Sequence, residues 1–171
     1  MLDLLIIGGS AAGCSAAIYA ARRKLNFKLI THDVGGEVAY AGEVSNWLGI
    51  KNIYGYELAQ NFATHVRANG VEIEEGWKVF AIQKEKVGFS VKARNGKGEE
   101  RTETAKTVLI ATGIHPRHLG AENEETLFHK GITYCTVCDG PLFKNKTVAV
   151  LGGGNAALEA AVMMSGIAQK V

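Results

Sequence analysis

A short apolar run, interrupted only by Asp3, fills Leu2 to Ile7 and predicts a buried parallel strand. Glycines follow. Ala11 to Arg23 then reads as an alanine-rich helix, with Arg22, Arg23 and Lys24 gathered at its C-terminal end, where the helix dipole favours cations. Phe27 to Thr31 predicts a second strand and completes a βαβ unit within about thirty residues. His32 to Trp47 carries too many glycines for a regular element. Tyr56 to Asn69 predicts a helix closed by Gly70 in the C′ position.

From Val71 to Ala105 the pattern alternates with the period of strands, and Asn95-Gly96 marks a hairpin turn, so a three-stranded β-meander is expected. Thr107 to Ala111 predicts another buried strand ending at Thr112-Gly113. Residues 114–130 are polar, contain Pro116 and read as a connector. Lys146 to Leu151 and Asn155 to Ser165 predict the strand and helix of a second βα unit. One strand and one helix cannot bury their apolar faces alone, so this unit is expected to be cut off soon after it begins. The fold class expected is α/β, with two Rossmann-like dinucleotide-binding domains, one over 1–113 and the start of another over 117–171.

The 171 residues suffice for one domain, or one and a part. With 47% apolar and 21% charged residues and a net charge of +2, no electrostatic footprint for nucleic acid or a membrane surface is expected. The apolar N-terminus has no basic flank and is interrupted by Asp3, which argues against a signal peptide, and it is too short and glycine-rich for a membrane span. A cytoplasmic address is therefore expected, where the three cysteines are not expected to be structural disulfides.

The 21 glycines exceed the usual share of about 7%, and several fall in two clusters. Gly8-Gly9-Ser10-Ala11-Ala12-Gly13 follows a strand and opens a helix, the context a dinucleotide fingerprint requires. Gly8 would form the tight turn, Gly13 would allow close helix–strand packing, and Ser10 in the middle position could donate its hydroxyl to a phosphate resting on the helix N-terminus. A glycine turn without a nucleotide is the structural alternative. The acidic residue expected about 20 positions on, for the ribose, is Asp33; Thr31 could contact the ribose instead, or Asp33 could be a loop aspartate with no role. Gly152-Gly153-Gly154-Asn155-Ala156-Ala157 repeats the logic after Val148 to Leu151, with Ala157 in the third glycine's place. Two such turns point to two nucleotides, one passing electrons to the other.

Between the clusters lies Cys135-Thr136-Val137-Cys138-Asp139-Gly140. A Cys-x-x-Cys pair is redox-active or half of a zinc site, with a pair of inert buried thiols as the remaining alternative. Zinc needs a second ligand pair; His115, His118 and His129 form none that is recognisable, so no metal is expected. Asp139 could carry a proton for a thiolate, or could simply shape a turn with Gly140. Cys14 is expected to pack inside the first helix.

Taken in order, LLIIGGSAAGCSAAIYAARR, GGEVAYAGEVSNWLG, VLIATGIHPRHLG, ITYCTVCDG and VAVLGGGNAALEAA resemble the low-molecular-weight thioredoxin reductases over nearly the whole chain, with CTVCDG and its distance to GGGNAA the most specific match. The resemblance implies an FAD domain first and an inserted NADPH domain that carries the cysteines, NADH not being excluded. It implies that Gly8, Ser10, Ala11, Ala12 and Gly13 hold the FAD pyrophosphate, with Gly36, Glu37, Asn46, Thr112 and Gly113 around the flavin and ribityl chain. Gly153, Gly154, Asn155 and Ala156 would approach the NADPH pyrophosphate. Electrons would pass from NADPH through FAD to the Cys135–Cys138 disulfide, entering at Cys138; Cys135 would attack the disulfide of thioredoxin or a similar protein, and Asp139 would donate the proton. A homodimer and a domain rotation about residues 113–117 are also implied. A peroxiredoxin reductase, a dithiol oxidase of the same architecture and a truncated, non-catalytic binding module are the alternatives.

Overall fold

Alternation in β1 (Leu2–Gly9) sends Leu5 and Ile7 to one face and Leu4 and Ile6 to the other, and both faces are covered. The computed structural model, which describes residues 1–128 and 130–171, divides into two compact units, Met1–His115 and Pro116–Val171. His129, a zinc candidate in the sequence, lies outside the described residues.

In the first unit β1 leads to α1 (Ala11–Arg22), β2 (Phe27–Val34), α2 (Glu37–Tyr40), the short strands β3 (Glu43–Val44) and β4 (Ile53–Tyr54), and α3 (Gly55–Ala68). The chain then forms β5 (Ile73–Glu74) and the meander β6 (Trp77–Lys84), β7 (Phe89–Asn95) and β8 (Glu100–Ile110). The six-stranded sheet has the order β5-β2-β1-β8-β7-β6. Its pairs β5–β2, β2–β1 and β1–β8 are parallel, and the meander pairs are antiparallel. The expected Rossmann-like α/β fold with a three-stranded meander is what this unit shows.

Two apolar layers hold it. Ile6 and Leu29 meet Cys14 and Ala17 of α1 and Ala63 and Val66 of α3 on one face. Leu5, Ile7 and Ile30 meet Val91, Ala93 and Ala105 of the meander on the other. Small residues on α1 let that helix lie close to the sheet. Each fully buried large aliphatic, such as Leu5 or Ile30, contributes about 2 kcal/mol. Polar groups finish the edge. Glu103 on β8 accepts a 2.7 Å hydrogen bond from Lys28 Nζ on β2, which raises the lysine's pKa. The Arg101 guanidinium pairs with Glu74 and lies 4.1 Å over the Trp77 ring.

Four features differ from the sequence expectation. β2 continues to Val34 because Gly9 extends the pairing to it, past a register shift after Ile7. The glycine-rich segment after it contains α2 and a small antiparallel pair, Glu43↔Tyr54 and Val44↔Ile53, too short to leave a periodic signal. At the hairpin, Asn95 Oδ1 accepts N–H groups of both Lys97 and Glu99 and the left-handed residue is Gly98, so the turn is a longer Asx loop in place of a two-residue Asn-Gly turn. Thr107–Ala111 is not a buried strand: it forms the end of β8, where Leu109 is 38% and Ile110 66% exposed. The meander's last pair is Phe89↔Ala105, so beyond it β8 is bonded only to β1 and has lost its neighbour on the other side.

The second unit contains α4 (Glu124–Leu127), α5 (Thr136–Asp139), a 3-10 turn (Gly140–Phe143) and α6 (Asn155–Ser165). The last helix begins and ends where the sequence places it. The strand expected over Lys146–Leu151 is not formed among the described residues; a single parallel bridge, Thr147↔Lys170, stands in its place. Gln169 donates to Lys146 O at 2.9 Å and Val148 to Lys170 O at 2.9 Å. A parallel strand is built by partners along its length, and this one meets only residues 169 and 170. Among the described residues no helix is long and apolar enough to cross a membrane.

Candidate functional site: a glycine turn in each unit and a disulfide

The first glycine turn sits at the C-terminal ends of β1, β2 and β8. Gly8 has φ +115°, and a Cβ there would lie 2.2 Å from Ala111 O. A Cβ on Gly13 would lie 1.8 Å from Gly8 O. Gly8 therefore makes the turn and Gly13 the close helix–strand contact, as the spacing predicts. α1 starts at Ala11 with Ser10 as N-cap and no side-chain cap. The N–H groups of its first turn have no intrahelical partner, so Ala11, Ala12 and Gly13 present donors at the positive end of the helix.

Ser10 behaves differently from the expectation that its hydroxyl serves a phosphate: Oγ donates to Gly35 O at 2.7 Å. This bond ties the glycine turn to the end of β2 and sets Gly36 beside it, where a Cβ would stand 4.0 Å from Ser10 Cβ. Glu37 opens α2 next to Gly36, and its Oε1 lies 2.5 Å from His115 Nδ1. Thr112 and Gly113 follow β8 directly beside Gly8, with Thr112 N 3.3 Å from the position of a Gly8 Cβ. Residues 8–13, 36, 37, 112 and 113 are thus brought to one sheet end. Asn46 is not; it is exposed in the segment after β3.

Asp33 is half-buried within β2, and its carbonyl accepts the Thr31 hydroxyl. Thr31 itself is buried, with its side chain against Gly9, where a Cβ would lie 2.7 Å from Thr31 Cγ2. Its hydroxyl is turned into the strand. Cys14 is buried, donates its thiol to Gly9 O at 3.4 Å, and is pushed up to about 11 by burial, which agrees with its reading as a packing residue.

In the second unit Cys135 and Cys138 form a disulfide with Cα atoms 5.3 Å apart. Cys135 is the N-cap of α5, and its Sγ accepts the Cys138 N–H at 3.2 Å. Cys135 is half-buried and Cys138 exposed. Sequence reasoning misses Thr133, yet its Oγ1 donates to Asp139 Oδ2 at 2.5 Å and accepts the Cys135 N–H at 3.1 Å. Its signal is faint, a hydroxyl two residues before a Cys-x-x-Cys-Asp. Glu124 is missed as well. Buried at the start of α4, it accepts N–H groups from Leu119, Gly120 and Ala121 and the Tyr134 hydroxyl. The Tyr134 hydrogen bond, helped by those N–H groups, holds its carboxyl at about 2, while Tyr134 is pushed up to about 12.

The second glycine turn opens α6. Gly154 is its N-cap without a side-chain cap, and a Cβ on Gly153 or Gly154 would meet nothing within 4 Å, so the backbone before Asn155 and Ala156 is open to a bulky anion. A Cβ on Gly152 would stand 3.0 Å from Ala157 Cβ. The cysteine turn packs at the other end of the helix, where Gly140 faces Met164 and Ile167. Ten residues of helix separate Gly154 from Met164, about 15 Å. Within this unit the disulfide and the glycine turn are not brought together.

A parallel sheet with a glycine turn leading into an uncapped helix defines a dinucleotide-binding α/β protein. The family described as pyridine nucleotide-disulphide oxidoreductase matches residues 2–171, and the chain belongs to that family. It is 40% identical over 169 residues to the larger, flavin-family component of alkyl hydroperoxide reductase from Staphylococcus aureus, covering 99% of this chain and 32% of that protein. Among solved structures it is similar to thioredoxin reductase from Streptococcus pyogenes, with TM-score 0.81, 35% identity, and 100% of this chain and 54% of that one covered. The thioredoxin reductase of T. acidophilum is 43% identical with TM-score 0.63, over 98% and 54%. The chain spans about a third of the curated relative it matches and about half of these solved structures.

Proposed function

We propose that this chain is the N-terminal part of a flavin-dependent reductase that passes electrons from NADPH, or NADH, through FAD to the Cys135–Cys138 disulfide and on to the disulfide of thioredoxin or a similar protein. The observation that carries the reading is the Cys135–Cys138 disulfide, lying at the far end of α6 from a dinucleotide-type turn in the same unit. That separation favours an intermediary carrier between nicotinamide and sulfur.

Residues 1–113 are the first segment of the FAD domain in this reading, and 117–171 begin the NAD(P)H domain. The N–H donors of Ala11, Ala12 and Gly13 fit a pyrophosphate, with Gly8 shaping the turn and Ser10 holding it through Gly35. Gly36, Glu37, Thr112 and Gly113 line the place next to it, with Asn46 reaching in from the β3 side and Asp33 on the ribose side. Gly153, Gly154, Asn155 and Ala156 take the second pyrophosphate. The flavin, when bound, supplies hydride acceptance and two-electron delivery to sulfur.

The disulfide opens with two electrons and two protons to give two thiols. A Cys135 thiolate then attacks one sulfur of the partner's disulfide, forming a mixed disulfide and expelling a partner thiolate. Cys138 next attacks Cys135 Sγ, re-forming the internal disulfide and releasing the second partner thiolate. Asp139 delivers protons to the departing thiolates. Cys135 suits the attacking role because its Sγ keeps the N–H of Cys138 as a donor, which stabilises a thiolate.

The 40% identity to a component of alkyl hydroperoxide reductase favours a second reading of the partner, a protein of the peroxide-reducing system. Assaying NADPH oxidation by the intact protein against oxidised thioredoxin and against an oxidised peroxiredoxin tests both. Turnover with thioredoxin supports the first reading. Turnover with peroxiredoxin alone moves the assignment to the second, and oxidation of NADPH that needs neither disulfide overturns both.

A further inference from the structure

We propose that Thr133 is a positioning residue for disulfide exchange, fixing the Asp139 carboxylate against the cysteine turn. The inference rests on the proposed role of Asp139 as proton carrier. The geometry is a two-bond bridge through one hydroxyl. Thr133 Oγ1 donates its only proton to Asp139 Oδ2 at 2.5 Å, and a lone pair on the same oxygen accepts the Cys135 N–H at 3.1 Å. A third bond closes the loop from the other side, Asp139 N to Cys135 O at 3.0 Å.

A hydroxyl has one donor and two acceptor sites, so one side chain can hold carboxylate and cysteine backbone together, which no apolar side chain of the same shape can do. The two groups it bridges are those the exchange needs in register, the sulfur-bearing residue at the N-cap of α5 and the acid at its last position. Thr133 is half-buried, and the turn that follows Asp139 packs on the apolar side chains of Met164 and Ile167. The carboxylate's direction is set by this hydrogen bond together with the backbone of α5. A displacement of about 1 Å in a proton carrier is enough to lower a rate substantially.

A double-mutant cycle on the intact protein tests this, reading steady-state reduction of a disulfide partner. Thr133→Val keeps the side-chain shape and removes the bridge; Thr133→Ala serves the same arm where the valine variant fails to accumulate. The expected result is a fall in kcat of about tenfold with KM for the partner changed less than about twofold, because the loss is in proton delivery and not in docking. Thr133→Ser, which keeps the hydroxyl, restores kcat to within about twofold of the wild type. In an Asp139→Asn background the Thr133→Val change costs less than about twofold, since the group it acts through has already been altered.

An equal tenfold loss in both backgrounds, a serine variant as impaired as valine, or an unaffected valine variant each overturns the positioning role. An Asp139→Asn enzyme with wild-type kcat overturns the proton-carrier reading itself, and the positioning role with it, and that result differs from the other three.

Discussion

A methyl group on Gly13 would lie 1.8 Å from the carbonyl oxygen of Gly8, inside the space that oxygen occupies. The two glycines therefore fix how closely α1 approaches the end of β1, and with it where the N–H groups of Ala11 and Ala12 point. Gly13→Ala is expected to lift the helix and cost about 3 kcal/mol of stability, near the upper end for overpacking, because the obstruction is backbone and cannot rotate away. Urea unfolding of the variant beside the wild type checks it. A loss below about 0.5 kcal/mol, the level of a neutral surface change, would show that the contact relaxes freely.

The three cysteines are expected to separate into two classes. Burial pushes the Cys14 thiol up to about 11, so at neutral pH it is almost wholly protonated as well as enclosed. After mild reduction, a thiol reagent should label Cys135 and Cys138 within minutes and reach Cys14 only in denaturant. Peptide mapping reads the pattern. Rapid labelling of Cys14 in folded protein would contradict its place between sheet and helix.

Glu124 makes stability depend on pH. Its carboxyl sits at about 2 in the folded chain, against 4.5 as its ordinary value, held down first by the Tyr134 hydroxyl and then by the backbone N–H groups. A carboxyl lowered on folding stabilises above its unfolded value, and the contribution disappears as pH falls from about 4.5 towards 2. Glu124→Gln, with no such titration, is expected to be less stable at pH 7 and to lose less on acidification. Urea midpoints from pH 3 to 7 for both proteins test it. Parallel pH curves would remove Glu124 from the account.

Much of this is legible in the sequence because the signals are local. Leu2–Ile7, the glycines after it and Ala11–Arg23 each announce themselves through composition and period, and the structure keeps the same elements to within a residue or two. Asn155–Ser165 is reproduced at both ends. Where the reading stops short, the deciding partner is distant or absent. β3 and β4 exist only through their pairing across the long loop, and Lys146–Leu151 has too little of a neighbour to become a strand. Ile110 looks like core by type, yet its strand outlasts the meander that would have covered it.

The site shows the same division. Glycine spacing and Cys-x-x-Cys-Asp name residues whose chemistry is written in their type. Hydroxyls such as those of Thr133 and Ser10 take their roles from what they happen to face, Asp139 with Cys135 in one case and Gly35 in the other. No spacing rule singles them out.

The central claim is that pyridine nucleotide electrons reach the Cys135–Cys138 disulfide. Anaerobic titration of the flavin-loaded intact protein with NADPH, followed by acid quench, alkylation and peptide mapping, tests it most directly. The account predicts one newly alkylated thiol at each of Cys135 and Cys138 per two electrons delivered, with neither labelled before NADPH is added. A disulfide that stays closed after the nucleotide has been fully oxidised would contradict it.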